Sequence, residues 1–507
     1  MPNKAAHPYI AYLPYLIAGL FLLLAVTSVQ FDDVTVDEPD HLQYGAYILK
    51  WKSDRYVEGR DFNTTMPITA INALPRAVEQ LLHPGLQKND WGESDVKSGR
   101  YLTILVSIVL LTYIFLFAKA IAGYAAGCWA MFLAALDPNL LAHGRLVTTD
   151  IYSALSFLMT IYHLYQWLVK KNEKHFYAWC FAIAFAQVCK VNNILLYPLC
   201  FAAMLAWRNK RPTRDDWKRV AVFVVMQVLV INIAFLFFRT GLPLAAYQFR
   251  SSFFQQLQQG FLGGIPLPFP KSYIDTFDLV QYERETFDGV AMNYLLGDLR
   301  YKEGFIGYYF VCWALKTPLF TQLLTLAAIS YFISRRFFRK QFLFFFLIPV
   351  AVIMMFLSSS SVQSGYRYLL PVLALCFVFV GAVVPALSER YATFVRPVMI
   401  GIPLLVVIFS FPNFIAYTNE FITDKKNAWR YLADSNLDWG QRHKQIQFYL
   451  DANPDVIFEP EKPTMGKVLV RINKLAGTRD ANAYKWLREG YEPVAVVEGC
   501  YVLFDVR

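Results

Sequence analysis

Charge is scarce in this sequence. Only 17% of its 507 residues are Asp, Glu, Lys or Arg, against about a quarter in soluble domains. Hydrophobic residues make up 56% and aromatics 17%, with a mean hydropathy of +0.35. That balance excludes an ordinary soluble globular protein and indicates a polytopic membrane protein. An internal repeat, a heptad array and a low-complexity tract are also absent. The seven cysteines form no disulfide framework and no zinc spacing. Cys128, Cys180, Cys200, Cys312 and Cys376 lie inside apolar runs, Cys189 ends one, and Cys500 alone falls in a soluble-looking segment. The formal charge of +10 does not indicate nucleic acid, because Lys and Arg occur in short clusters between apolar runs.

What is present is a series of eleven apolar runs, at about 10–29, 101–120, 123–142, 151–169, 176–189, 191–207, 220–238, 308–333, 341–357, 369–387 and 397–413. Most are long enough for a hydrocarbon core of ~30 Å; the fifth is short, and "CKVNN" from Cys189 separates it from the sixth. The first run ends in polar residues rather than a small-residue cleavage site, so it reads as a retained helix. Basic clusters start at Lys170, Arg208 and Arg335, and "SERYATFVR" from Ser388 supplies a further pair of arginines, whereas the opposite short loops hold only Arg145, Lys190 and Arg367. The positive-inside rule therefore places the N-terminus in the cytoplasm and the C-terminus outside. The expected organisation is a transmembrane domain over 1–413, with extracytoplasmic loops at 31–100 and 239–307, and a small extracytoplasmic α/β domain over 414–507. Helical spacing in "HLQYGAYILKW" and "ITAINALPRAVEQLL" predicts amphipathic helices in the first loop. "GKVLVRI", "PVAVVEG" and "CYVLFDV" read as strands.

Four outward stretches carry chemistry. "VDEPDH", Val36–His41, follows the first run; its simplest reading is a helix start with Asp37 or Glu38 as cap and Pro39 in the first turn. The same geometry holds a carboxylate at a fixed height above the bilayer, where it can serve as a general base or bind a cation. "LDPNLLAHGRLVTTD", Leu136–Asp150, offers Arg145, suited to a lipid phosphate, and Asp150, which can equally cap the next helix. "SSSSVQSGYRYLLP", Ser358–Pro371, offers Arg367 between two interfacial tyrosines, and "LKTP" adds Lys316, which either snorkels or pairs with an anion. "DSNLDWGQ", Asp434–Gln441, is either turn chemistry or a sugar-binding group of Asp434, Asn436, Asp438 and Trp439.

In this order, "VDEPDHLQYGAYIL", "MPITAINALP", "LDPNLLAHGRLVTTD", "LKTP", "GYRYLLP" and "DSNLDWGQ" resemble the lipid-carrier-dependent glycosyltransferases of the GT-C superfamily. The resemblance is to the bacterial relatives of protein O-mannosyltransferase and aminoarabinose transferase. It implies a GT-C fold and an inverting glycosyltransferase in a bacterial plasma membrane. A single sugar would pass from a polyprenyl-phosphate carrier to a hydroxyl of an envelope protein, lipid or glycan on the outer side. It implies Asp37 as base, with Glu38 and His41 beside it meeting substrate, and Arg145, Arg367 and Lys316 as ligands of the leaving phosphate. Asp150, Asp434, Asn436, Asp438 and Trp439 would complete the substrate contacts. Two departures matter. The loop-one lysine that meets the phosphate in aminoarabinose transferases is missing, with Thr65 and Met66 near its place, and the "WWDxG" signature of oligosaccharyltransferases is absent.

Asp37, Glu38, Asp40 and His41 carry metal-ligand chemistry, but four ligands within five residues converge poorly from a helix start, so no required metal or other cofactor is expected. The competing reading is a transporter or flippase of a lipid-linked glycan. Transporters concentrate ionisable groups at the midplane, often in repeated halves, whereas here the acids gather outside. A membrane scaffold, the third reading, leaves those acids without a role.

Overall fold

The computed structural model describes residues 11–54, 56–57, 60–61, 65–83, 93–207, 213–288, 290–335, 339–390 and 392–507. Parts of the basic clusters after Arg208 and Arg335 lie outside the described residues. The chain is mostly helical. Among the described residues, four helices are long and apolar enough to cross a membrane: Asp95–Ala122, Arg214–Ala234, Arg339–Ser358 and Tyr366–Leu387. A fifth is formed if the bent pair Tyr308–Lys316 and Leu319–Ser334 counts as one span. Leu13–Val29, Tyr124–Ala135, Val191–Trp207 and Val395–Ser410 are shorter apolar helices.

Two apolar runs expected to be continuous are broken, and proline explains both. The run 308–333 bends by 113° between Lys316 and Leu319, where Pro318 removes a backbone donor and forces Thr317 out of helical geometry. The run 123–142 stops at Ala135 and restarts at Pro138. Asp137 caps the second piece, its carboxylate accepting from the amides of Asn139 (2.9 Å) and Leu140 (3.0 Å). The two breaks meet, the Asn139 side chain donating to the Lys316 carbonyl at 2.9 Å.

The helix Leu370–Arg390 is central, packed by Tyr124–Ala135, Glu93–Ala122 and Asp150–Leu168. Gly381 permits that closeness, since a Cβ there would collide with the backbone of Ala130. Two helices, Glu38–Leu49 and Ala70–Leu82, follow the first apolar helix and pack on each other. The second is clearly amphipathic: Leu74, Val78, Leu81 and Leu82 line an exposed face, while Ala73 and Arg76 are buried.

The C-terminal residues form a four-stranded sheet. Val456–Phe458 pairs parallel with Gly466–Arg471, which pairs antiparallel with Tyr501–Val506, and this in turn with Pro493–Val497. The sheet and the helix His443–Ala452 share a small core of Ile446, Leu469, Cys500 and Tyr501. This tail docks on the first loop through the backbone: the amides of Asp33 and Val36 donate to the carbonyls of Gln441 and Trp439, each at 3.0 Å.

Candidate active site

Asp37 stands just before the helix Glu38–Leu49, with Pro39 in the first turn, as the sequence suggests. Neither acid caps that helix by its side chain. Glu38 turns backwards instead and is wholly buried. Its carboxylate receives the amides of Thr35 and Val147, each at 2.9 Å, and a bidentate grip from Arg100 through Nε at 2.8 Å and Nη2 at 2.5 Å. Burial pushes this carboxyl up, but Arg100 and the two amides more than offset it and hold it below its ordinary value. Arg100 also donates to the carbonyls of Asp32 (3.1 Å) and Asp33 (2.7 Å). Glu38 is thus engaged by these partners and does not line the cleft, and it fixes the backbone on which Asp37 sits.

With Glu38 anchored inward, Asp37 faces a cleft of about 890 Å3, where its side chain is 34% exposed. One oxygen, Oδ2, accepts from Arg367 Nη1 at 2.7 Å. Burial raises the carboxyl's proton affinity; the Arg367 guanidinium overcomes this and holds it below the usual carboxylate range. Arg367 is set by its own loop. Gly365 has a φ of +81°, and a Cβ there would meet the Ser435 hydroxyl at 2.5 Å, so this close approach of two loops needs glycine. The guanidinium lies 4.3 Å from the Trp439 ring centre.

A second ion pair stands beside the first. Lys190, at the break between the helix Lys174–Cys189 and the turn Val191–Leu195, is paired with Asp150 and lies 3.9 Å from the centre of the Tyr368 ring. Both members line the cleft, as do His41, Asp434, Asp438, Trp439, Thr65 and Met66. Burial lowers the His41 imidazole, so it is neutral at pH 7, and its Nδ1 is buried without a hydrogen-bond partner among the described residues. Asp434 is raised by burial. Asp438 is held by Arg471 through Nε at 2.7 Å and Nη2 at 2.9 Å.

Three further expected site residues are elsewhere. Arg145 is fully buried in an ion pair with Asp32 (2.6 Å), which Arg442 of the tail also meets at 3.2 Å. Lys316 neither snorkels nor faces the cleft; its ammonium donates to the carbonyls of Ile415 (2.9 Å), Tyr417 (3.0 Å) and Asn436. Asn436 is buried, taking the Tyr366 amide at 2.9 Å and donating to the Tyr308 hydroxyl at 3.0 Å. Lys316 and Asn436 brace the loop that carries Arg367, because their polar groups are engaged internally, and Arg145 is committed to Asp32 by its ion pair. Among the described residues no group of three or more His, Cys, Asp or Glu side chains is arranged to hold a metal ion.

Sequence reasoning missed Lys190 and Arg471. Lys190 had a signal, being one of three basic residues in the short outer loops; Arg471 had none, since it reaches the cleft from the end of a strand.

A family model described as dolichyl-phosphate-mannose-protein mannosyltransferase matches residues 92–235. No curated protein matches the sequence. Among solved structures, ArnT from Cupriavidus metallidurans in the apo state is 12% identical with a TM-score of 0.49, covering 97% of each chain. The same protein bound to undecaprenyl phosphate is 11% identical with a TM-score of 0.49. The apo oligosaccharyltransferase of Archaeoglobus fulgidus is 12% identical with a TM-score of 0.49, covering 81% of this chain, which spans 55% of that one. The chain resembles the GT-C glycosyltransferases, and the family-model match lies on the segment that holds Arg100, Arg145, Asp150 and Lys190.

Proposed function

We propose that this chain is an inverting glycosyltransferase with about eleven membrane spans, moving one sugar from a polyprenyl-phosphate carrier to an acceptor hydroxyl on the extracytoplasmic side. The observation that carries this reading is the Asp37–Arg367 pair at the cleft, with one carboxylate oxygen engaged and the side chain partly open. In the reaction the acceptor oxygen attacks the anomeric carbon, the bond from that carbon to the phosphate oxygen breaks, and the hydroxyl proton passes to Asp37. The lipid phosphate leaves as an anion, so it needs positive charge more than a proton. Arg367 and Lys190, side by side around Tyr368, supply that charge. Lys190 takes the part of the absent loop-one lysine, and it lines the same cleft as Thr65 and Met66. The neutral His41 and the acids Asp150, Asp434 and Asp438 serve the sugar and acceptor hydroxyls. No divalent metal is required in this reading, so chelation should leave transfer intact.

The acceptor is an envelope component, a protein hydroxyl as in O-mannosylation or a lipid or glycan. A flippase is disfavoured because Asp37, Asp150, Lys190 and Arg367 stand at helix ends and turns rather than in mid-helix. The test is transfer from a radiolabelled polyprenyl-phosphate sugar in membranes. Asp37→Asn should lower the rate by about 10²–10⁴-fold, the range for loss of a positioned base, with the protein still folded. Transfer equal to wild type would remove Asp37 from the chemistry.

A further inference from the structure

A second cavity, of about 650 Å3, shares no lining residue with the cleft. One wall is the helix Ala392–Ser410, which contributes Leu405 and Phe409, 52% and 84% exposed. The opposite wall is the turn from Asn413 to Lys425, with Gly499 of the last hairpin closing the far side. Apolar surface on such a helix suits acyl chains, whereas the turn is polar, so the groove is amphipathic along its length.

Its polar end has a chemical preference. Lys425 is committed, donating to the Thr418 carbonyl (2.7 Å), the Thr418 hydroxyl (3.2 Å) and the Asn419 carbonyl (2.7 Å); its three protons are used. Glu420 engages one carboxylate oxygen, accepting the Leu319 amide at 3.1 Å. The Asn413 side-chain oxygen and the Tyr417 hydroxyl are buried with no hydrogen-bond partner among the described residues. The groove therefore pairs an apolar slot with hydrogen-bond acceptors and a carboxylate. Lys425 offsets the charge of Glu420 but has no proton left to donate; a quaternary ammonium cannot donate to the open acceptors and a glycerol head brings no cation to the free Glu420 oxygen, whereas a primary ammonium does both.

We propose that this groove binds a membrane phospholipid with a primary-ammonium headgroup, its acyl chain along Leu405 and Phe409 and its head at Glu420. The site does not depend on what the cleft transfers. It is nevertheless linked to the cleft, because Lys316 ties the carbonyls of Ile415 and Tyr417 to that of Asn436, and Asn436 holds the backbone beside Arg367.

The test places purified protein in nanodiscs containing phosphatidylethanolamine, phosphatidylglycerol and phosphatidylcholine in equal amounts, re-extracts it in mild detergent, and quantifies retained lipid by mass spectrometry. Wild type is expected to favour phosphatidylethanolamine about tenfold over each of the others. Leu405→Trp, which fills the slot, should lose retained lipid, and the milder Glu420→Gln should lose the preference. Asp37→Asn, in the separate cleft, should keep both. Equal retention of the three lipids by wild type, or a preference that survives both groove variants, overturns the proposal.

Discussion

Because Asp37 and Arg367 share one ion pair, each sets the other's charge. Burial alone would raise the Asp37 carboxyl; Arg367 reverses the sign and takes it below its ordinary value of 3.8. Such a group adds stability above that value and loses the contribution as pH falls through its lower folded value. The wild-type transfer rate should therefore show no inflection from Asp37 above pH 3.8. In Arg367→Gln, with the guanidinium gone, the acid limb of kcat/KM should move upward, as read from initial rates across pH. An unmoved limb would show that Arg367 does not govern Asp37. Under the proposed function a donor phosphate would act the same way in kind, competing for the guanidinium and strengthening Asp37 as a base. Both members of this pair were legible in the sequence, one from its place at a helix exit and one from its rarity in the outer loops. Arg145 met the second criterion equally well and lies buried on Asp32. Counting charges by side of the membrane does not reveal which of them is matched by an internal partner.

At the scale of elements, Arg100 on the second apolar helix clamps the start of the first-loop helix through Glu38. Glu38→Gln leaves a buried guanidinium without its counter-ion, a change of about 3–5 kcal/mol in known cases. The expected result is a lower thermal midpoint in detergent together with a lower rate, and the double variant Glu38→Gln, Arg100→Gln should recover part of the midpoint. A single variant as stable as wild type would mean that the clamp is not structural. The helices themselves were readable, because apolar runs and 3.6-residue spacing are local properties of the chain. The two proline breaks were present in the sequence, at Lys316-Thr317-Pro318 and Asp137-Pro138, but the runs to either side are apolar enough to be read as continuous. The clamp was not readable, since Glu38 and Arg100 are separated by 62 residues and no local pattern links them.

For the whole molecule, the proposed orientation requires the tail and the first loop to share a side of the membrane, and the backbone bonds between Asp33, Val36, Trp439 and Gln441 require the same. A phosphatase reporter fused after Arg507 should be active only outside the cytoplasm; activity inside would dismantle the proposed site. The tail contact has another consequence. Lys444 donates its amide to Asp33 across 411 residues of chain, and Trp439 and Asp438, which wall the cleft, belong to the same late segment. The ribosome makes Asp37 long before the opposite wall of the cleft. Under the proposed function, transfer would therefore start only once the tail has folded back onto the first loop, and a chain ending before Asp438 would have the base without its cleft.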